Sequence, residues 1–174
     1  QMDIPVHADL RSGYFETSEL RDMLSLLSLL DNGQQDIPLA AVMRSPLSDR
    51  RPFNAGDLVR IRTHSPKAAF CEAVNIYAKT GPDTELQERV QIFLARIERW
   101  RNAARDRNLA DVIWHIYEET GYLAWVGGLP HGRQRRANLI GLHDRARQFG
   151  SFRKQGLRRF LLFIEQLKIR KSDL

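Results

Sequence analysis

Between Arg133 and Arg159 the chain carries nine basic side chains (Arg133, Arg135, Arg136, Arg145, Arg147, Arg153, Lys154, Arg158 and Arg159) and one acid, Asp144. The rest of the 174 residues hold 18 basic and 20 acidic side chains, so the formal excess of +6 lies entirely in this stretch. Cationic groups spaced along helices can contact successive phosphates and release condensed counterions, so the chemistry suggested here is capture of a polyanion. Arg133 and Arg136 are one helical turn apart and share a face. Cationic charge near a helix start opposes the macrodipole, which predicts that Arg133, Arg135 and Arg136 are not there for stability. The bland alternative is a solvated helix surface. A second basic group, Arg44, Arg50 and Arg51, flanks Ser45-Pro46-Leu47-Ser48, with Asp49 weakening its field. Trp100, Trp114 and Trp125 are rings on which bases could stack, but Trp114 and Trp125 sit in apolar stretches and are expected in the core.

Catalytic signatures are missing. The sequence has no Gly-x-x-x-x-Gly-Lys-Ser/Thr phosphate loop. No Asp-Glu pair ends an apolar strand to hold Mg²⁺. The histidines His7, His64, His115, His131 and His143 are scattered, none with a second ligand at metal spacing, so no metal site is expected. The adjacent acids Glu118 and Glu119 do not face each other on a helix and are expected on a solvated face. No nucleophile–base arrangement is present, and no catalytic residue is assigned.

Helices must position these groups. Residues 1–12 read as extended, because Ile4, Val6 and Ala8 alternate with polar neighbours around Pro5. Thr17 or Ser18 is the expected cap of a first helix to about Leu30, with Glu16 and Glu19 placed for the helix dipole. Its stripe of Leu20, Met23, Leu24, Leu27 and Leu30, widened by Leu26 and Leu29, predicts burial between several neighbours. Asp36 is expected to cap a short helix to about Arg44, broken by Ser45-Pro46, and Ser48–Phe53 to form a loop. Asn54 with Asp57 three residues on predicts the capped start of another short helix, through about Arg62. Ser65-Pro66 predicts a helix through Ala78 that Gly81 closes. Asp83 caps a long helix with Leu86, Val90, Phe93, Leu94, Ile97 and Trp100 inward and Glu98, Arg99, Arg101 and Arg105 outward. Asn108 caps the next, with Val112, Ile113, Ile116 and Tyr117 inside and Gly121 as its stop. Tyr122–Val126 is a short helical turn before the Gly127-Gly128-Leu129-Pro130 loop. In a helix over Gly132–Phe149 the apolar marks are Ala137, Leu139, Ile140, His143, Ala146 and Phe149. A last helix starts near Gln155, with Leu157, Phe160, Leu161, Ile164 and Leu167 inward. The expected fold is all-α, an irregular domain of seven to nine helices with at most a short N-terminal strand.

The chain is long enough to bury its own core. At 43% hydrophobic and 28% charged it has the composition of a globular protein, without the ~20-residue apolar run of a membrane helix. Asp3 and Pro5 do not read as a secretory leader. The single Cys71 excludes an intramolecular disulfide; among Ala68, Ala69, Phe70, Ala73 and Val74 it reads as a buried structural thiol in a reducing cytoplasm.

Several segments are similar to one family. Ile4-Pro5-Val6, Gly13-Tyr14-Phe15-Glu16, Asp22-Met23-Leu24, Leu29-Leu30-Asp31-Asn32 and Asp36 through Pro46 resemble the start of the 2B subdomain of UvrD/Rep-type superfamily I helicases, in wording closest to AddA-type helicase–nuclease proteins. Glu118-Glu119-Thr120-Gly121-Tyr122, Gly127-Gly128-Leu129-Pro130, Arg133 through Leu139 and Asp144 through Phe149 resemble the same family. The resemblance implies residues 1–12 as a lead-in from the second RecA-like domain and 13–174 as a helical accessory subdomain, excised from a larger enzyme that resects broken DNA ends for recombinational repair. It further implies ATP and Mg²⁺ as cofactors of the intact enzyme, with none in this segment, which alone would neither hydrolyse ATP nor cut DNA. The partners it implies are duplex DNA, the RecA-like motor domains of the same chain and an AddB-like subunit, with no membrane. Relatives carry a Thr-Pro-x-x-Gly-Ile-Gly loop that grips duplex phosphates through backbone N–H groups. Here Ser48-Asp49-Arg50-Arg51-Pro52-Phe53 stands instead, leaving Arg44, Arg50 and Arg51 as a side-chain substitute. The second function expected is a protein-interaction module that seats the partner subunit, and the third an unrelated basic helical regulator.

Overall fold

The computed structural model describes residues 14–152 and 156–172. The extended segment expected over 1–12, Arg153, Lys154 and Gln155 lie outside the described residues. Among those described, a single 3-10 turn, Tyr14–Glu16, precedes nine helices and no strand occurs. They are α1 (Ser18–Asp31), α2 (Asp36–Arg44), α3 (Ala55–His64), α4 (Phe70–Thr80), α5 (Thr84–Asp106), α6 (Leu109–Thr120), α7 (Tyr122–Gly127), α8 (Gly132–Phe152) and α9 (Leu157–Ser172).

The leucine-rich α1 is the hub, packing on α2, α5, α8 and α9. Leu20, Met23, Leu26 and Leu27 are fully buried, and Leu24, Leu29 and Leu30 nearly so, because neighbours close around the wide stripe. Its start differs from the expected cap. Neither Thr17 nor Ser18 caps it; the Thr17 hydroxyl instead donates back to the Tyr14 carbonyl at 3.1 Å, completing the 3-10 turn. Its end is held by Arg101 of α5, expected to face solvent. The Arg101 guanidinium donates to the carbonyls of Leu29 and Leu30 at 3.2 and 3.3 Å, satisfying acceptors that the helix leaves free.

Local caps form where one side chain reaches its own helix. Asn54 and Asp57 form the capping box of α3, Asp83 accepts from Leu86 N–H, Asn108 accepts from Ala110 N–H, and Gly121 adopts φ +66° between α6 and α7. Asp36 behaves otherwise. It opens α2 without capping it, and its carboxylate accepts from Phe70 and Cys71 N–H, both at 2.9 Å, at the start of α4. Those two backbone bonds hold the Asp36 carboxyl below the usual range. Consequently α4 begins at Phe70, not at Ser65-Pro66. Cys71 is buried, and desolvation and Asp36 together raise its thiol, as suits a structural residue.

The loop after α2 folds inward. Ser48 Oγ donates to the carbonyls of Met43 and Ser45 at 2.8 Å each, and Phe53 N–H donates to Met43 O. From α5, Arg96 donates to Ser48 O, and Arg89 donates to Arg51 O while lying over the Phe53 ring.

Candidate nucleic-acid interface on the long basic helix

The long basic helix, α8, is wedged against α1, α6 and α7. Its inner face is Leu139, Leu142 and Ala146, all fully buried, with Asn138 at 5% exposure. Ala137 and Ile140, expected among the apolar marks, point outward, with Ile140 39% exposed. The stripe is set by the i, i+3, i+7 run from Leu139, and Ile140 falls on the other side of it. The N-terminus of α8 is seated by a close backbone approach. A Cβ on Gly132 would lie 2.1 Å from the Gly127 carbonyl oxygen, so only glycine lets α8 start against the end of α7.

The helix divides its arginines between two tasks. Arg135 reaches inward, donating to Glu19 Oε2 at 2.7 Å, Ser18 Oγ at 2.6 Å and the Pro130 carbonyl at 3.0 Å. Glu19 is 2% exposed and also accepts from Asn138 Nδ2 at 2.7 Å, while Gln134 donates to Asn138 Oδ1. Burial pushes the Glu19 carboxyl up, but hydrogen bonds, from Asn138 foremost, and the Arg135 charge outweigh it and hold the group below its ordinary range. Arg145 also reaches inward: its guanidinium lies 4.8 Å over the Tyr14 ring and donates to Tyr14 Oη at 3.1 Å and to Gly141 O at 2.9 Å. Tyr14 in turn donates to Asn138 O at 2.8 Å. Contrary to the expectation from the helix dipole, Arg135 therefore serves the fold. Its charge is neutralised by a carboxylate from α1 that sequence spacing does not reveal.

Arg133 and Arg136 point outward and have no side-chain polar partner among the described residues. Arg147 lies further along the same face, two-thirds exposed, with a 3.2 Å ion pair to Asp144 that solvent screens. Arg158 and Arg159 open α9, exposed and likewise unpaired among the described residues. The Phe149–Phe160 contact, 5.5 Å between ring centroids, sets them by the far end of α8. Outside the counted stretch, Arg107 is exposed at the α5–α6 turn and lines a cleft with Phe149, Gly150, Gly156 and Leu157, at that same end. A charge count along the chain misses it, because Asp106 cancels it locally.

The group Arg44, Arg50 and Arg51 forms a separate patch on α2 and its following loop. Arg44 and Arg50 are exposed; Arg51 pairs with Glu85 at 3.1 Å across an exposed gap. Two of the tryptophans reverse the expectation, while Trp100 lies inward as its stripe predicts. Trp100 is the core residue, 1% exposed, donating its indole N–H to Glu119 at 2.8 Å, whereas Trp114 and Trp125 are 39% and 45% exposed. An apolar neighbourhood in sequence does not fix the side on which a ring emerges from a helix. Glu119 is therefore more than a solvated acid: it holds Trp100, Arg99 and His115, the last at 3.3 Å, and Glu118 accepts from Trp114 Nε1. Among the described residues no group of His, Cys, Asp and Glu is placed to hold a metal ion, and no helix is long and apolar enough to cross a membrane.

No protein-family model matches the chain. Over 175 residues, 98% of the chain, it is 49% identical to the AddA protein, an ATP-dependent helicase/nuclease component, of Geobacillus thermodenitrificans (strain NG80-2) and 50% identical to that of Geobacillus kaustophilus (strain HTA426). It is also 50% identical, over 95% of its length, to the protein of the same name from Pelotomaculum thermopropionicum. The chain spans only 13–14% of the length of these relatives.

Proposed function

Because the chain belongs, as a segment, to the AddA family of ATP-dependent helicase/nuclease proteins, we propose that it is an accessory DNA-handling region of such a protein. It contacts duplex DNA without sequence preference, through phosphates, and performs no catalysis itself. ATP and Mg²⁺ would be held by other parts of the longer protein, among them RecA-like motor domains, and the work of the whole would be processing of double-strand breaks for recombination. The observation that carries this reading is the outer face of α8, where Arg133 and Arg136 stand exposed and uncompensated one turn apart, with Arg147 in line. Each such cation that neutralises a phosphate releases a counterion, so binding follows salt concentration steeply.

The test is titration of a short duplex at several salt concentrations. Arg133→Ala/Arg136→Ala is expected to flatten the log–log salt slope by about two, roughly one per lost phosphate contact. A folded wild-type chain that binds no duplex even at low salt overturns the reading.

A second reading rests on a different surface. Ile37 of α2 is 85% exposed and Val59 of α3 is 59% exposed, and with Ala40, Leu58 and Phe70 they line a shallow apolar groove. Water-exposed apolar side chains gathered in this way suit a protein neighbour, which supports an interaction module seating the partner subunit. Ile37→Asp that leaves duplex affinity unchanged but loosens assembly with that subunit would favour it.

A further inference from the structure

We propose that Trp125 is a stacking platform for an unpaired nucleobase; this deepens, and rests on, the DNA-contact reading. The three tryptophans are held differently. Trp100 is buried with its N–H on Glu119. Trp114 gives its N–H to Glu118 at 2.8 Å and lies against His143 and Tyr117. Trp125 is 45% exposed, and its indole N–H has no partner among the described residues. Its ring lies in a near-parallel, offset stack with Tyr122, 5.7 Å between centroids and 12° between planes. Nearly half of the residue stays open to solvent beside that stack.

The platform is pre-organised from beneath. Tyr122 is 1% exposed, and its hydroxyl donates to Asp22 of α1 at 2.9 Å. Ring position is thus tied to the central helix, and little side-chain freedom remains to be lost when a base lands. Trp125 also adjoins the basic face. The Arg136 side chain crosses the end of α7 at Gly127, two residues on, its Cδ 2.9 Å from where a Gly127 Cβ would be. A phosphate-binding cation and an exposed aromatic ring consequently meet on one short helix, the pairing that single-strand sites use. A base inside a duplex has both faces covered by its neighbours, so only an unpaired or terminal base can present a face to this ring. Every base has such a face, so no sequence preference is expected.

The experiment compares a single-stranded oligothymidine with a blunt duplex of equal length, using wild type, Trp125→Ala, Trp125→Phe and Arg133→Ala/Arg136→Ala. Thermal melts confirm folding. Trp125→Ala is expected to weaken the oligothymidine about tenfold, the scale of one lost base stack, and to affect the duplex, whose open base faces are confined to its two ends, far less. Trp125→Phe, which keeps a ring, is expected to recover most of that loss. If Trp125→Ala does not fold, the readout becomes fluorescence of Trp114→Phe: quenching by oligothymidine supports the platform, and its absence during binding overturns it. Oligothymidine affinity unaffected in Trp125→Ala, with duplex binding still sensitive to Arg133 and Arg136, overturns the platform alone. Wild type that binds neither DNA overturns the platform together with the reading beneath it.

Discussion

The two faces of α8 carry the same residue type to opposite ends. Inward, Arg135 meets a buried carboxylate and Arg145 a tyrosine ring and hydroxyl, so both side chains are engaged within the fold and the Arg135 charge is neutralised there. Outward, Arg133 and Arg136 keep theirs for solvent or for a polyanion, and Arg147 shares an exposed, solvent-screened ion pair with Asp144. Arg135 and Arg136 are neighbours in sequence, yet a helix turns about 100° between them, enough to exchange one environment for the other. Basic content alone therefore overstates a binding surface; only charge that the fold leaves unspent can pair with phosphate.

Removing the inner carboxylate should have the largest effect. Glu19→Ala leaves Arg135 and Asn138 facing a desolvated gap, and a loss of about 3 kcal/mol in denaturant unfolding is expected. A loss below ~1 kcal/mol would mean that the inner arginine is as dispensable as the outer ones. Gly132→Ala comes next. Its Cβ meets backbone, not a movable side chain, and a cost of about 2 kcal/mol is expected, with α8 displaced from α7. Asp36→Ala should cost about 1 kcal/mol by uncapping α4, although the residue belongs to α2.

Acid separates the two faces further. The Glu19 carboxyl is lowered in the folded chain, so its stabilisation is complete above the unfolded value of about 4.3 and is lost as pH falls through the folded value. Asp22 acts with the opposite sign, since burial raises it and folding then favours its protonated form. Glu19→Gln should accordingly flatten the fall of stability below about pH 4.5, whereas Arg133→Ala/Arg136→Ala should leave that curve as it is. The smallest stability effect belongs to that outer pair, within about 0.5 kcal/mol by thermal melting, while duplex affinity drops. Equal melting losses for Arg135→Ala and Arg136→Ala would erase the distinction between the faces.

Features closed within a few residues were legible beforehand. The Asn54/Asp57 box, the Asp83 and Asn108 caps and the Gly121 stop each involve partners two or three residues apart. The leucine periodicity of α1 likewise announced a helix buried on several sides. The candidate site was legible only as a stretch: the arginines stood out by charge, but their division into spent and free did not. Glu19 and Arg135 are 116 positions apart, Asp36 and Cys71 are 35 apart, and no periodicity links them. Trp114 and Trp125 emerge at the surface for a related reason, since an apolar neighbourhood states that a helix is buried somewhere and not on which side.

The sequence by itself determined the helical fold of the described residues, the Asn54, Asp83 and Asn108 caps, the Gly121 stop, the central helix and the region of excess positive charge, because hydrogen bonds within a turn and burial of a periodic stripe are local physics. Tertiary structure alone decided which arginines are engaged inside the fold, that Trp114 and Trp125 emerge at the surface, and which helix Asp36 caps. Desolvating a charge is costly unless a partner is brought to it, and only the folded chain brings together groups so far apart in sequence.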